Sequence, residues 1–497
     1  MNDSIIIVIS LLLAAGAFSS KLTARYSVPV LVILIGVGML AGSDFLNLIY
    51  FDDMKLTQSI ANFGLIFIIF ESGFYTKKSV LKQTFGPSMT LATFGIIITA
   101  FGLGYLVHLI LKFDLLYSFM IGAIISSTDA AAVIMIIRQN PIQKYVASIL
   151  EVESAANDPM AILLTVLMIQ LLISGTGSGI LLLSSQLLWQ FLGGIMFGFI
   201  SSKIGRYLFN NLKSDNKGHY YVLFMGIILF TYSFAGLFKT NGIIAIFFAG
   251  YWFGNFDFIF KMGISHFIDG LSSFFNMAIF LLLGLLVFPK NMIVFWKEGL
   301  IVAALLTFIV RPLAVFICAY PFKLKFKEAV FISWGGIKGI VPVVLATYPA
   351  LYGLDDDLKV FNIIFFAVLL SCLMQGTTVN RLAGLLGLAT PATNKAAFYI
   401  QLFTLDNTDL EMIEAHISDE SQIIKKAIKD LKFPDHTLIT AIIRGKEIIS
   451  PNGNTVINKN DVMFILTKKA NINDVNFLLS NGYYPGDYCP VAAETYN

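Results

Sequence analysis

The residues best able to do chemistry lie in one short run, LEVESAANDPMA, Leu150 to Ala161. Wound as a helix, Glu151, Ser154 and Asp158 fall at i, i+3 and i+7 and share a stripe. Glu153 and Asn157 sit at i, i+4 on the adjoining stripe. One face then offers two or three carboxylates, a hydroxyl and an amide oxygen. These are hard oxygen ligands suited to a small alkali cation, with no thiol or imidazole among them. Pro159 takes one N–H out of the helix ladder and frees backbone carbonyl oxygen a turn earlier.

Two further runs look like broken helices. In IISSTDAAAV, Ile124 to Val133, the residues Ser126, Ser127, Thr128 and Asp129 form a polar island in an apolar stretch. Such side chains compete with the ladder for backbone bonds, which favours an unwound segment presenting carbonyls. The alternative is a helix packed through its small residues. In WGGIKGIVPVVLA, Trp334 to Ala346, Gly335, Gly336 and Gly339 flank Lys338 ahead of Pro342, so this run reads as a discontinuous helix. Lys338 is placed to neutralise the facing helix ends that such breaks leave. Paired interruptions in the two halves of a membrane domain point to an inverted-repeat transporter with its site at the midplane.

The elements that must hold these runs follow from composition. The chain has 497 residues, 57% of them hydrophobic, with 45 phenylalanines and 13% charged residues. A soluble chain carries roughly 25% charged residues, so this is a polytopic membrane protein. Residues 1–395 carry a net charge of +7, and the chain from Ala396 onward carries −4. The polar end reads as a small soluble α+β domain behind an all-α membrane domain. At about 20 apolar residues per crossing, spans fall near 4–20, 28–50, 57–74, 88–111, 115–137, 144–173, 180–203, 219–237, 240–256, 264–288, 292–320, 327–350 and 360–388, about thirteen in all. The first lacks a basic n-region and a small-residue cleavage site, so it reads as a span and not a signal peptide. Lysine and arginine crowd alternate short loops, such as Lys77, Lys78 and Lys82, then Lys203, Arg206, Lys213 and Lys217. The bias places the N-terminus outside and the C-terminal domain in the cytoplasm.

Once the charges near loops are set aside, a few remain inside the spans, among them Glu71, Asp129, Glu151, Glu153, Asp158, Arg311 and Lys338. A charge at the bilayer centre costs at least about 2.5–3.5 kcal/mol, so such residues face a wet cavity or pair with one another. Arg311, deep in FIVRPLAVF, is always ionised and needs a carboxylate, for which Glu153 is the expected partner. Glu71, in FESGF, lies near a cytoplasmic helix end where a carboxylate reaches water. A set of buried ion pairs that only fixes helix register is the structural alternative. The three cysteines, Cys318, Cys372 and Cys489, are too scattered for a disulfide framework or a zinc site. No basic, aromatic segment outside the bilayer suggests nucleic acid.

Taken together, ESAANDPMA, STDAAAV, the lone arginine of RPLAVF and GGIKGIVPVVLATYP resemble the monovalent cation:proton antiporter-1 family, the NhaP-like sodium/proton and potassium/proton exchangers. The resemblance covers about residues 5–390. It implies that Asp158 binds the cation or the proton, that Thr128, Ser154 and Glu153 help coordinate, that Asp129 lies where the unwound helices cross, and that Arg311 pairs with Glu153. The Asn157–Asp158 pair resembles the family's signature for electroneutral exchange. Lys338 stands where many relatives have arginine, which keeps the charge but loses bidentate pairing. STDA replaces the commoner STDP.

In the soluble part, DLEMIEAHI, HTLITAIIRG, KEIIS and DVMFILT read as strands and INDVNFLLS as a helix. SQIIKKAIKDL places its apolar residues at helical spacing, with Ser421 as a cap. The run from ISDESQ to DVMFILT resembles the C-terminal RCK (TrkA-C) ligand-binding module. That resemblance implies regulation, dimers and, as ligand, a nucleotide such as cyclic di-AMP. No GxGxxG follows a strand, so a companion NAD-binding half has no support. The expected division is a membrane domain over 1–390, a regulatory domain over 396–480 and a disordered tail over 481–497.

The expectation is therefore a homodimeric antiporter of the inner membrane, without cofactor or enzymatic activity, exchanging a monovalent cation for protons and serving pH homeostasis. Its tail type favours potassium over sodium. A potassium channel or channel-like efflux system would need a TVGYG-type filter, and none is present. An organic-anion transporter fits poorly with acids at the midplane. A non-transporting sensor anchored by its spans is the remaining rival.

Overall fold

The computed structural model describes residues 10, 13–14, 16–18, 30–42, 44–129, 142–174, 180–355, 357–390, 410–417, 421–445 and 447–481. Short polar side chains set where several helices begin. Asp53 accepts from Leu56 N at 2.8 Å, and Asn241 accepts from Ile243 N at 2.9 Å and Ile244 N at 3.2 Å. The helices are α1 Val30–Ala41, α2 Met54–Tyr75, α3 Lys78–Leu111, α4 Leu115–Ile124, α5 Lys144–Ser174, α6 Ile180–Asn211, α7 Lys217–Leu237, α8 Gly242–Asn255, α9 Lys261–Leu286, α10 Trp296–Phe322, α11 Phe326–Gly335, α12 Ile340–Leu345 and α13 Lys359–Leu385.

Among the described residues, eight helices are long and apolar enough to cross a membrane, or nine if α11 and Ile340–Leu351, bent by 47°, count as one span. This is fewer than the roughly thirteen crossings expected. α1, α4 and α8 have 12, 10 and 14 residues, short of the ~20 a straight crossing takes. α4 stops where the SSTD run begins, and the first expected segment, 4–20, lies mostly outside the described residues.

Two groups of helices emerge. α2, α6, α7 and α8 pack on one another, while α3, α4, α5, α10, α11, α12 and α13 form the second group. Glycine lets α2 and α8 touch at the backbone: a Cβ on Gly73 would lie 2.2 Å from Phe247 O, and one on Gly254 would lie 1.9 Å from Phe74 O. α1 meets α9 in the same way through Gly38 and Gly284. Among the described residues few contacts join the two groups, and α2 makes most of them, to α5 and α12. One is polar: the Tyr348 hydroxyl donates to Asn62 Oδ1 at 2.9 Å.

Each of α3 and α10 contains a π-helical turn, Leu91–Gly95 and Leu305–Val310. The second has a cause in the sequence. Pro312 has no N–H to give, so the ladder shifts just ahead of it, and the extra residue of the wider turn ends at Arg311.

The C-terminal unit is a four-stranded antiparallel sheet, β1 Leu410–His416, β2 Leu438–Arg444, β3 Glu447–Ile449 and β4 Val462–Lys468, in the order β1-β4-β2-β3. Helix α14, Ile472–Asn481, follows it. β2 and β3 form the expected hairpin, turned by Gly445 at φ +61°. Arg444 grips buried Asp461 with two bonds, at 2.9 and 2.8 Å. The helix expected over SQIIKKAIKDL is absent. Residues 425–429 instead bond to the chain opposite: Lys425 N to Ile457 O at 2.8 Å, Ile428 N to Thr455 O at 3.0 Å and Lys429 N to Gly453 O at 2.9 Å. Only a short 3₁₀ turn, Ile428–Asp430, remains. Ile423 and Leu431 are buried, and Ile424, Ala427 and Ile428 partly so, without the helix their spacing suggests. Ser421 donates to Leu479 O and caps no helix. The tail expected to be disordered lies outside the described residues.

Candidate functional site

α4 ends at Ile124 and the chain leaves the helix through Ile125 to Asp129. α11 ends at Gly335 and α12 starts at Ile340. The two breaks meet. Asp129 N donates to Ile337 O at 2.8 Å. Lys338 Nζ reaches back to Ser126 O at 3.1 Å and Ser127 O at 2.9 Å. These carbonyls lie just past the end of α4, where no ladder partner exists and the helix presents its negative dipole end. An ammonium is therefore the group suited to that place, and Lys338 is 1% exposed.

The glycines around Lys338 have a use that sequence reasoning missed. A Cβ on Gly339 would lie 2.2 Å from Asp129 Oδ2, and one on Gly336 would lie 2.7 Å from Arg311 Nε. The first glycine makes room for the carboxylate and the second for the guanidinium. Two glycines flanking a buried charge were the available signal.

α5 brings the third component. Ser154 Oγ lies 2.9 Å from Thr128 Oγ1, and Asn157 Nδ2 donates to Thr128 Oγ1 at 2.5 Å. Thr128 N in turn donates to Asn157 Oδ1 at 3.4 Å. Asn157 thus ties the unwound segment to α5 with both ends of its amide, a role its spacing on α5 did not reveal. Glu153 Oε1 and Arg311 NH2 stand 2.6 Å apart. Asp158 faces the charges of Asp129 and Lys338, and Lys338 also feels Arg311 and Glu153. Ser154, Glu153, Asn157 and Thr128 are sealed, and Asp158 keeps 9% exposure.

Glu153, Asp158, Arg311 and Lys338 are buried together, and Asp129, partly exposed, adjoins them. With all five ionised, three negative charges face two positive ones. One positive charge, on a cation or a proton, balances the set. Among the described residues no group of three or more His, Cys, Asp or Glu is arranged as a metal centre.

Two sequence candidates fall elsewhere. Glu151 is partly buried on α5. Glu71 accepts from Ser272 of α9 and neighbours Tyr75, whose hydroxyl bonds Asp269 and, at 2.8 Å, Ser265.

Residues 7–384 match the profile of the transmembrane sodium/hydrogen exchanger family, and residues 412–479 match that of the TrkA-C domain. The chain is 30% identical over 482 residues to the K(+)/H(+) antiporter NhaP2 of Shewanella sp. (strain ANA-3), covering 96% of this chain and 83% of that one. It is 28% identical over 409 residues to the Na(+)/H(+) antiporter NhaH of Halobacillus aidingensis, covering 78% and 98%. Among solved structures, the sodium proton antiporter MjNhaP1 from Methanocaldococcus jannaschii matches with a TM-score of 0.66 at 25% identity, over 79% of this chain and 100% of that one.

Proposed function

Because this chain belongs to the sodium/hydrogen exchanger family and carries a TrkA-C domain, we propose that it exchanges a monovalent cation, potassium in preference to sodium, for protons. The observation that carries the reading is the largely buried, oxygen-lined crossing where Asp129, Glu153 and Asp158 face Arg311 and Lys338, one positive charge short of neutrality. In this mechanism Asp158 holds either ion. Its carboxylate, with the hydroxyls of Thr128 and Ser154, ligates the cation, or it takes a proton. Desolvation favours the neutral form of a carboxyl and a bound cation favours the charged form, so each expels the other. Asn157 and Asp129 hold the unwound segment, Lys338 caps it, and the Arg311–Glu153 pair takes one acid out of the competition.

Alternating access follows if the crossing reorients only when loaded. The sparse contact between the two helix groups supports this reading. One charge moved each way makes the exchange electroneutral. The broken helices are read as matching elements of an inverted repeat, in a membrane domain over 1–390 with its N-terminus outside. The cytoplasmic domain over 396–480 regulates the exchange in a homodimer, with a nucleotide as its candidate ligand. Potassium is favoured because the relative that matches through the tail is named for it.

The test is reconstitution into vesicles loaded with a pH dye, under imposed potassium or sodium gradients, with and without valinomycin. Cation-driven proton movement that ignores membrane voltage is expected, larger with potassium. Voltage-driven cation flux would indicate a channel, and no flux a sensor.

A further inference from the structure

The break between α11 and α12 exposes two carbonyls that a continuous helix would use. Asp129 N takes that of Ile337. The carbonyl of Lys338 has a different problem. Its helical partner four residues on would be residue 342, a proline, which has no N–H. Ordinary α-helical winding therefore cannot supply that bond. A buried acceptor without a donor is unfavourable, so a donor must come from elsewhere.

It comes from α13. Cys372 Sγ lies 2.8 Å from Lys338 O, and the thiol is fully buried. A thiol is a donor small enough to lie flat against a helix face. The neighbouring hydroxyl of Ser371 is committed to Gln375 Oε1 at 2.5 Å. Lys338 is thus held at both ends: its carbonyl by Cys372, its ammonium by the Ser126 and Ser127 carbonyls.

We propose that Cys372 is a positioning residue of the exchange site. Its thiol fixes the Lys338 peptide, which keeps the ammonium on the facing break and the Ile337 carbonyl on Asp129 N. Cys372 acts through Lys338 and touches no transported ion. The proposal rests on reading the crossing as the exchange site.

Three variants of the full chain separate donor from volume. Cys372→Val fills the space without a donor, Cys372→Ser keeps a donor, and Cys372→Ala lacks both and serves if Val is not folded. In vesicles, Val or Ala is expected to raise the apparent KM for the cation about two- to tenfold, the worth of one hydrogen bond, and to shift the pH of half-maximal exchange. Ser is expected to restore both. Hydrogen–deuterium exchange, read without transport, should show faster exchange at Asp129 and Ile337–Val341 in Val or Ala, and parental rates in Ser. Parental KM, pH profile and deuterium uptake in Val would overturn the proposal, as would a Ser variant no better than Val. If the parent itself exchanges no cation, the functional reading fails, and the deuterium measurement still decides whether the thiol holds the break.

Discussion

Arg311 and Glu153 stand 2.6 Å apart with 3% and 1% of their side chains exposed. Both charges are out of water, so each depends on the other. Removing one partner of such a pair costs about 3–5 kcal/mol because the other charge is stranded. Arg311→Ala is expected to lower the yield and unfolding temperature sharply. The double variant with Glu153→Ala should recover part of the loss. Thermal unfolding in detergent reads this, and an Arg311→Ala protein as stable as the parent would show that the pair contributes little.

Asp158→Asn keeps shape and polarity but removes the group for which cation and proton compete. The variant is expected to insert and fold with an unfolding temperature near the parent's, and to lose exchange. Robust cation-dependent proton flux from this variant would assign the competition to another acid.

Gly339→Ala adds one methyl group 2.2 Å from Asp129 Oδ2. Asp129 Cβ would lie only 2.5 Å away as well, so turning the carboxylate aside is not enough, and overpacking typically costs about 1–3 kcal/mol. Exchange is expected to fall at least tenfold. Gly384→Ala, which meets nothing within 4 Å, is the control. Equal activity in the two variants would mean that the crossing has slack.

Asp355 gives a pH signature away from the crossing. It is buried, accepts from Val360 N at 3.1 and 3.0 Å and Phe361 N at 3.3 Å, and receives the Tyr117 hydroxyl at 3.4 Å. Burial pushes its carboxyl above the ordinary value, against the pull of these donors. A folded state that holds the proton more tightly than the unfolded one gains stability at low pH and loses it as pH rises from about 4 through the raised value. Asp355→Asn keeps an acceptor without the charge. Its unfolding temperature is expected to gain on the parent's between pH 4 and pH 8, and parallel curves would contradict the assignment.

The sequence made the site legible because the bilayer makes its residues costly. Carboxylates at 151, 153 and 158, Arg311 and Lys338 stand out because few charges lie deep within the spans. The breaks were legible for a related reason: SSTD and GGIKG compete with or weaken a helix that lipid would otherwise enforce. What stayed hidden depends on a partner remote in sequence. The bonds that Asn157 makes to Thr128 with both ends of its amide are not recorded by its spacing on α5. Gly336 and Gly339 mark a broken helix, but that they make room for Arg311 and Asp129 depends on residues far away in the chain. The 421–431 segment has helical spacing, but its backbone bonds go to residues 453–457, a tertiary choice that periodicity does not record.

The π turn ahead of Arg311 makes chain length itself part of the ion pair. Each residue advances an α-helix by about 100°. Deleting one residue from Leu305–Val310 would let the coil close to ordinary winding and swing the guanidinium about a quarter turn from Glu153, with no charged group altered. A change that leaves every polar side chain in place can therefore disconnect the pair, and its severity would be invisible to any comparison that scores residue types alone.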